Sequence, residues 1–235
     1  MSTPPVAAHR PVGPRRTYLG IAVMLLLGAV FSGLTAVVMR AAGPTDVDTA
    51  LHDWVVGFRS DGLTLAARMV TTCGDTLTMA VLATAVCVGF AWRRWWESAA
   101  LVGIAALGAA VLVAVGKRLV GRERPPLDGR LATESSLSYP SGHSLGSFVV
   151  IGVVVVALLP HLRGRVRPAL PALAVALVPA IGLSRVYLGV HWPTDVLAGW
   201  TLGALWLVLC RTCGIGRGVG ARLARLDRRP PLDPR

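Results

Sequence analysis

Charge is scarce in this chain. Asp, Glu, Lys and Arg make up 15% of its 235 residues, and only 12 residues are acidic. An ordinary soluble domain carries about 25% of such residues, so the composition excludes one. Cysteine is sparse too, with 4 in all. Cys73 and Cys87 fall in or beside apolar runs, and Cys210 and Cys213 form a lone Cys-x-x-Cys. A zinc centre needs a second pair or nearby histidines, and the sequence offers neither there. These sulfurs read as small apolar residues at helix ends. Internal repeats are also missing, which excludes a solenoid.

What is abundant is apolar sequence, at 54% of residues. It falls into six runs: Tyr18 to Met39, Thr76 to Trp92, Ser98 to Leu119, His143 to Leu159, Ala169 to Leu188, and Asp195 to Cys210. About 20 apolar residues cross the ~30 Å of hydrocarbon in a bilayer. The expected fold is therefore an all-α, polytopic bundle of six transmembrane helices. The second run is the shortest, and a start near Thr71 would lengthen it. Arg15 and Arg16 before the first run resemble a signal-peptide flank, but the run is longer than a signal core and further spans follow. Residues 1–16 and 214–235 read as basic cytoplasmic ends, the first disordered, around a membrane domain at 17–213. Pro171 and Pro179 are tolerated in a membrane helix, where neighbours satisfy the freed carbonyls.

The formal charge of +12 suggests nucleic acid, but its distribution argues for topology. Arg93, Arg94, Arg163, Arg165, Arg167 and the arginine-rich ends fall on one side of a six-span arrangement, and most acids on the other. Loops rich in Lys and Arg stay cytoplasmic, which places both termini there and gives the tail anionic headgroups to touch. Asp46 to Thr72 alternates acids with apolar residues at spacings of three and four. That pattern predicts short amphipathic helices on the outer membrane surface, with Asp46 and Asp48 as caps. Arg118, Arg122 and Arg130 read as snorkelling cations, and His161 as solvated.

Three short pieces carry chemistry. They are Lys117 with Arg124-Pro125; Pro140-Ser141-Gly142-His143; and Ser184-Arg185 followed by His191 and Asp195. With residue 1 cytoplasmic, the third span ends near Lys117, the fourth starts at His143, the fifth ends at Arg185 and the sixth starts near His191. All three pieces then meet on the extracytoplasmic face. Lys117, Arg124 and Arg185 supply fixed cations for a phosphate, the arginines as planar bidentate donors. Ser141 caps the fourth helix, and the free N–H groups around Gly142 point at a bound anion. Neutral His191 can attack phosphorus, with Asp195 one helical turn later holding the other ring proton. His143 is then the general acid that protonates the leaving oxygen and afterwards activates water. Fixed cations neutralise the phosphate and no carboxylate cluster stands beside them, so neither a metal nor another cofactor is implied.

The three pieces resemble the signature motifs of the type 2 phosphatidic acid phosphatase (PAP2) superfamily, in its membrane-embedded lipid phosphatase branch. Lys117 to Pro125, Pro140 to His143 and Ser184 to Asp195 match them without departure, over the central third of the chain. The resemblance implies a phosphohistidine enzyme with the same residues in the same roles. It also implies a lipid phosphate substrate, with undecaprenyl diphosphate first and phosphatidate or phosphatidylglycerol phosphate as alternatives. A phosphotransferase using the same histidine stays open. So does a non-catalytic carrier, for which replacing His191 would change nothing but stability. The expected location is a bacterial plasma membrane, with membrane lipids as partners and no nucleic acid.

Overall fold

The computed structural model describes residues 14–41 and 43–214. The basic ends outside those ranges, with most of the tail's arginines, lie outside the described residues. Eight helices follow in order: α1 Pro14–Ala41, α2 Asp46–Val56, α3 Asp61–Thr72, α4 Thr76–Trp92, α5 Trp96–Val120, α6 Gly142–Leu158, α7 Val166–Tyr187 and α8 Pro193–Thr212. Two short 3-10 turns, Leu127–Gly129 and Leu159–His161, complete the list, and the described residues contain no strand. The fold is all-α.

Five of these helices (α1, α5, α6, α7 and α8) are long and apolar enough to cross a membrane. A sixth candidate is a bent pair, which is a broken span or a re-entrant loop. Helix α4 has 17 residues, and joins α3 across a bend of 43° to make the length. Gly74 and Asp75 sit at the break, and Asp75 takes the N-cap position of α4 with extended backbone angles. Of the short helices expected between the first two spans, α2 stands separate, while α3 leads into α4 through that bend.

Helix α6 is the axis of the bundle. Leu145, Val149 and Val153, each fully buried, repeat every four residues along it. They pack against Val102, Ala105 and Ala109 of α5 and Met79 and Ala83 of α4. Helices α7 and α8 flank α6, and α1 lies against α8. Two glycines let these helices close up on tryptophan rings. A Cβ on Gly108 would sit 2.2 Å from the Trp206 ring, and one on Gly182 the same distance from Trp200. The outward side chains, among them Leu25, Leu77, Leu107 and Val175, are apolar and exposed, as a lipid-facing surface requires. Pro171 and Pro179 lie inside α7, which continues through both to Tyr187.

The end of α5, the start of α6, the end of α7 and the start of α8 converge at one end of the bundle. Helices α2 and α3 dock there too. Arg59 donates to the Tyr187 carbonyl at 2.8 and 3.1 Å, and the Tyr187 hydroxyl meets Thr64 at 3.1 Å. Tyr187 is thus spent on docking. His161, expected to be merely solvated, is exposed but stacks on Trp95 with ring centroids 3.5 Å apart.

Candidate active site

Pro193 occupies the first position of α8, where its missing N–H costs nothing, and this fixes where the helix begins. Asp195 follows in the first turn and accepts from the Trp192 N–H at 2.9 Å. His191 lies just before the helix and is 1% exposed. Its Nδ1 is 3.4 Å from Asp195 Oδ2, the arrangement of an N–H donating to a carboxylate, and 3.3 Å from Ser138 Oγ. Ser138 also donates to Asp195 Oδ2, and Arg122 donates to Oδ1 at 2.7 Å. The carboxylate is held from three sides, and so is the ring it orients. Burial drives the His191 imidazole down to about 3, outweighing the opposite pull of Asp195, with Arg124 and Arg185 adding to the drop. The ring is neutral at ordinary pH. Its Nε2 stands 3.1 Å from an Arg124 nitrogen.

Arg124 is pinned in that position. It donates to the carbonyls of Val190 and Ser136, both at 2.6 Å, and to Ser136 Oγ at 3.1 Å. Lys117 donates to the same Ser136 hydroxyl at 2.8 Å and to the Leu137 carbonyl. Arg185 is 2% exposed; it donates to Thr71 Oγ1 at 2.7 Å and to Glu134. His143, at the second position of α6, has its Nε2 2.6 Å from Asp75 Oδ1. One cavity of about 760 Å³ brings Lys117, Arg124, Glu134, Ser136, His143 and His191 together. Away from these residues its wall is small and apolar, with Met79, Ala83, Gly103, Ala106 and Ala110 from α4 and α5. A larger cavity of about 870 Å³ lies between the end of α1, α2 and Trp192, and neither His143 nor His191 lines it.

Seven of the eight residues singled out from sequence are placed around this cavity, or directly behind it in the case of Arg185 and Asp195. Ser141 is not. It is fully buried at the N-cap of α6, where its Oγ accepts from the Ser144 N–H at 3.4 Å, and only the neighbouring Gly142 lines the cavity. Arg122, expected to snorkel, is 6% exposed instead. It bridges two buried carboxylates, donating to Asp48 at 2.6 Å and to Asp195 at 2.7 Å. The N-cap of α2 is Thr45, not Asp46 or Asp48 as expected; Asp48, three residues on, completes a capping box with Thr45 and also accepts from the Thr194 N–H at 2.9 Å. Burial makes its carboxyl a weaker acid, but the Arg122 bond and two backbone N–H bonds win, so it titrates below its ordinary value. Sequence reasoning also passed over Glu134, Asp75, Ser136 and Ser138. Their partners lie in other motifs or other helices, and no local spacing marks them.

Neutral imidazole beside fixed cations, at one end of an apolar helix bundle, suits phosphate chemistry at a membrane. The class so defined is a membrane-embedded phosphatase. Residues 96–217 match the family model of the PAP2 superfamily, and the chain belongs to that superfamily. Phosphatidylglycerophosphatase B of Bacillus subtilis (strain 168) is 30% identical over 186 residues, covering 77% of this chain and 90% of that one. Decaprenylphosphoryl-5-phosphoribose phosphatase of Mycobacterium tuberculosis (strain ATCC 25618 / H37Rv) is 40% identical over 128 residues, 53% of this chain and 64% of the relative. Among solved structures, a transmembrane PAP2-type phosphatidylglycerolphosphate phosphatase from Bacillus subtilis superposes with a TM-score of 0.72 at 30% identity. It covers 80% of this chain and 94% of its own.

Proposed function

We propose that the chain hydrolyses a lipid-linked phosphate monoester or diphosphate through a phosphohistidine formed on His191. The observation that carries this is the shared cavity: both histidines and two cations at its polar end, and a small apolar wall between α4 and α5 for a lipid chain. Lys117, Arg124 and Arg185 hold the phosphoryl oxygens, and the N-terminus of α6 at Gly142 adds its free N–H groups. The His191 Nε2 lone pair attacks phosphorus while the bond to the lipid oxygen breaks. That oxygen takes its proton from His143. Asp195, accepting from Nδ1–H, stabilises the positively charged ring. His143, now neutral, deprotonates a water, which attacks the phosphohistidine. The P–N bond breaks, and inorganic phosphate and neutral His191 are regenerated. Asp75 binds His143 Nε2 and leaves Nδ1 for the substrate.

We further propose six crossings with both termini in the cytoplasm, an arrangement that would put this site on the outer face of a bacterial plasma membrane. The basic loops carrying Arg93, Arg94, Arg163 and Arg165 support that orientation. For substrate we propose a polyprenyl diphosphate of the undecaprenyl type, on the strength of the polyprenyl-linked relative. Phosphatidylglycerol phosphate is the second reading, favoured by the relative that matches over most of its length. Phosphate release from undecaprenyl diphosphate, phosphatidylglycerol phosphate and phosphatidate tests both, using the purified protein and a folded His191→Ala variant. Release that depends on His191 and ranks the polyprenyl substrate first supports the proposal. His191-independent release, or none from any of the three, would sink it, and phosphate passed only to an added acceptor lipid would make the enzyme a transferase.

A further inference from the structure

Arg185 lies behind the cavity with almost no exposure, and among the described residues Glu134 is the only carboxylate in an ion pair with it. A buried cation without an anion is costly, so Arg185, with Arg124 beside it, needs a counter-charge. Glu134 provides it. One carboxylate oxygen accepts from Arg185 and the other faces Arg124 at 3.4 Å, so the group spans the two guanidiniums as two phosphoryl oxygens would. Glu134 lines the same cavity as both histidines.

The backbone on either side of it is tied down. Leu131 N–H donates to the Leu188 carbonyl at 2.8 Å, and Ser138 N–H to the Arg122 carbonyl at 2.8 Å. Ser136 and Leu137 are held by Lys117 and Arg124. The loop therefore stays in place, and the part free to move is the Glu134 side chain, which is 23% exposed.

We propose that Glu134 is an internal anion that occupies the phosphoryl subsite between turnovers and competes with phosphate for the Arg124–Arg185 pair. The proposal rests on the phosphatase reading above. A phosphoryl group entering the subsite displaces the carboxylate, which swings to the open side of the cavity. When inorganic phosphate is the product, the carboxylate returns and helps to expel it. Binding of both substrate and product is weakened by the same exchange, and both arginines stay oriented for the next lipid.

The sign of one measurement decides between this role and a purely organising one. Inorganic phosphate is titrated calorimetrically into the detergent-solubilised full chain, wild type and Glu134→Gln, and thermal unfolding is followed with and without phosphate. Loss of one charged competitor should tighten phosphate binding about tenfold, the scale of a single charge-assisted hydrogen bond. The variant should also melt lower than wild type in phosphate-free buffer and recover when phosphate fills the gap, and Glu134→Ala should behave alike if the amide perturbs folding. Unchanged or weaker phosphate binding in both variants overturns the proposal, because a carboxylate that only organises the arginines helps phosphate to bind. Failure of wild type and variants alike to bind phosphate overturns the phosphoryl-site reading as well.

Discussion

His191 works only as well as the groups behind it. Its orienting carboxylate, Asp195, is shared with Arg122, and Arg122 is shared with Asp48 from a helix 74 residues away. Removing the central cation leaves two buried carboxylates without their ion-pair partner, although their hydrogen bonds to Ser138, Trp192, Thr45 and Thr194 remain. Arg122→Gln should therefore cost about 3–5 kcal/mol of stability, read as a loss in denaturant or thermal unfolding in detergent. Activity should fall with it, since Asp195 loses a fixed partner. A neutral substitution effect at Arg122 would mean that the bridge is not formed.

Acid should weaken the fold in two stages whose signs follow from the same residues. His191 is held neutral in the fold down to about 3 but takes a proton in the unfolded chain below its ordinary 6.5, so unfolding binds a proton between those values. Stability then falls as pH drops from 6.5 towards 3. Asp48 is held below its ordinary 3.8, so its contribution is complete above that value and is lost as pH falls through its lowered value. Unfolding midpoints measured across this range should decline from near pH 6.5 downward. A folded His191→Ala variant should flatten the upper part of the decline, to which His52 and His143 also contribute, and Asp48→Asn the lower part, which Asp195 and Glu134 share. The motif residues were legible because their types and spacings repeat a known pattern. Glu134, Asp75 and the Asp48–Arg122 pair were not, because a lone acid in a sequence names no partner.

At the scale of elements, apolar runs predicted the spans, and the helices begin and end within a few residues of them. What the runs did not predict was the bend between α3 and α4. Its sequence signal is only Gly74 and an Asp at an N-cap position. That Asp75 makes no side-chain cap to its own helix and instead meets His143. A helix break is thereby used to place a carboxylate against the residue proposed as general acid. Asp75→Asn should lower kcat by about 10²-fold on lipid substrates, whose alkoxide leaving group needs the proton. The same variant should lose far less on a nitrophenyl phosphate, whose leaving group does not. Equal losses on both substrates would assign Asp75 a structural role only.

The whole molecule joins a charged end to an apolar groove, and each half was partly readable. Counting crossings from hydropathy brings the three motifs to one end, where the structure also gathers them. The groove itself could not be read, because its small residues come from α4 and α5 and line a common wall only after the helices pack. Ala106→Trp narrows that wall without touching the polar end. It should raise KM for a long-chain lipid phosphate about tenfold, from lost uniform binding of the chain, and leave a short-chain soluble phosphate unaffected. An equal change for both would place the lipid chain elsewhere.

The central claim is that phosphate passes through His191. The direct measurement is a single-turnover reaction with lipid phosphate labelled in the transferred group, quenched in alkali, where phosphohistidine survives, and mapped by peptide. Label on the peptide that contains His191, absent from His191→Ala, is the result the account predicts. Complete turnover with no label on the protein would contradict it and leave direct attack by water in its place.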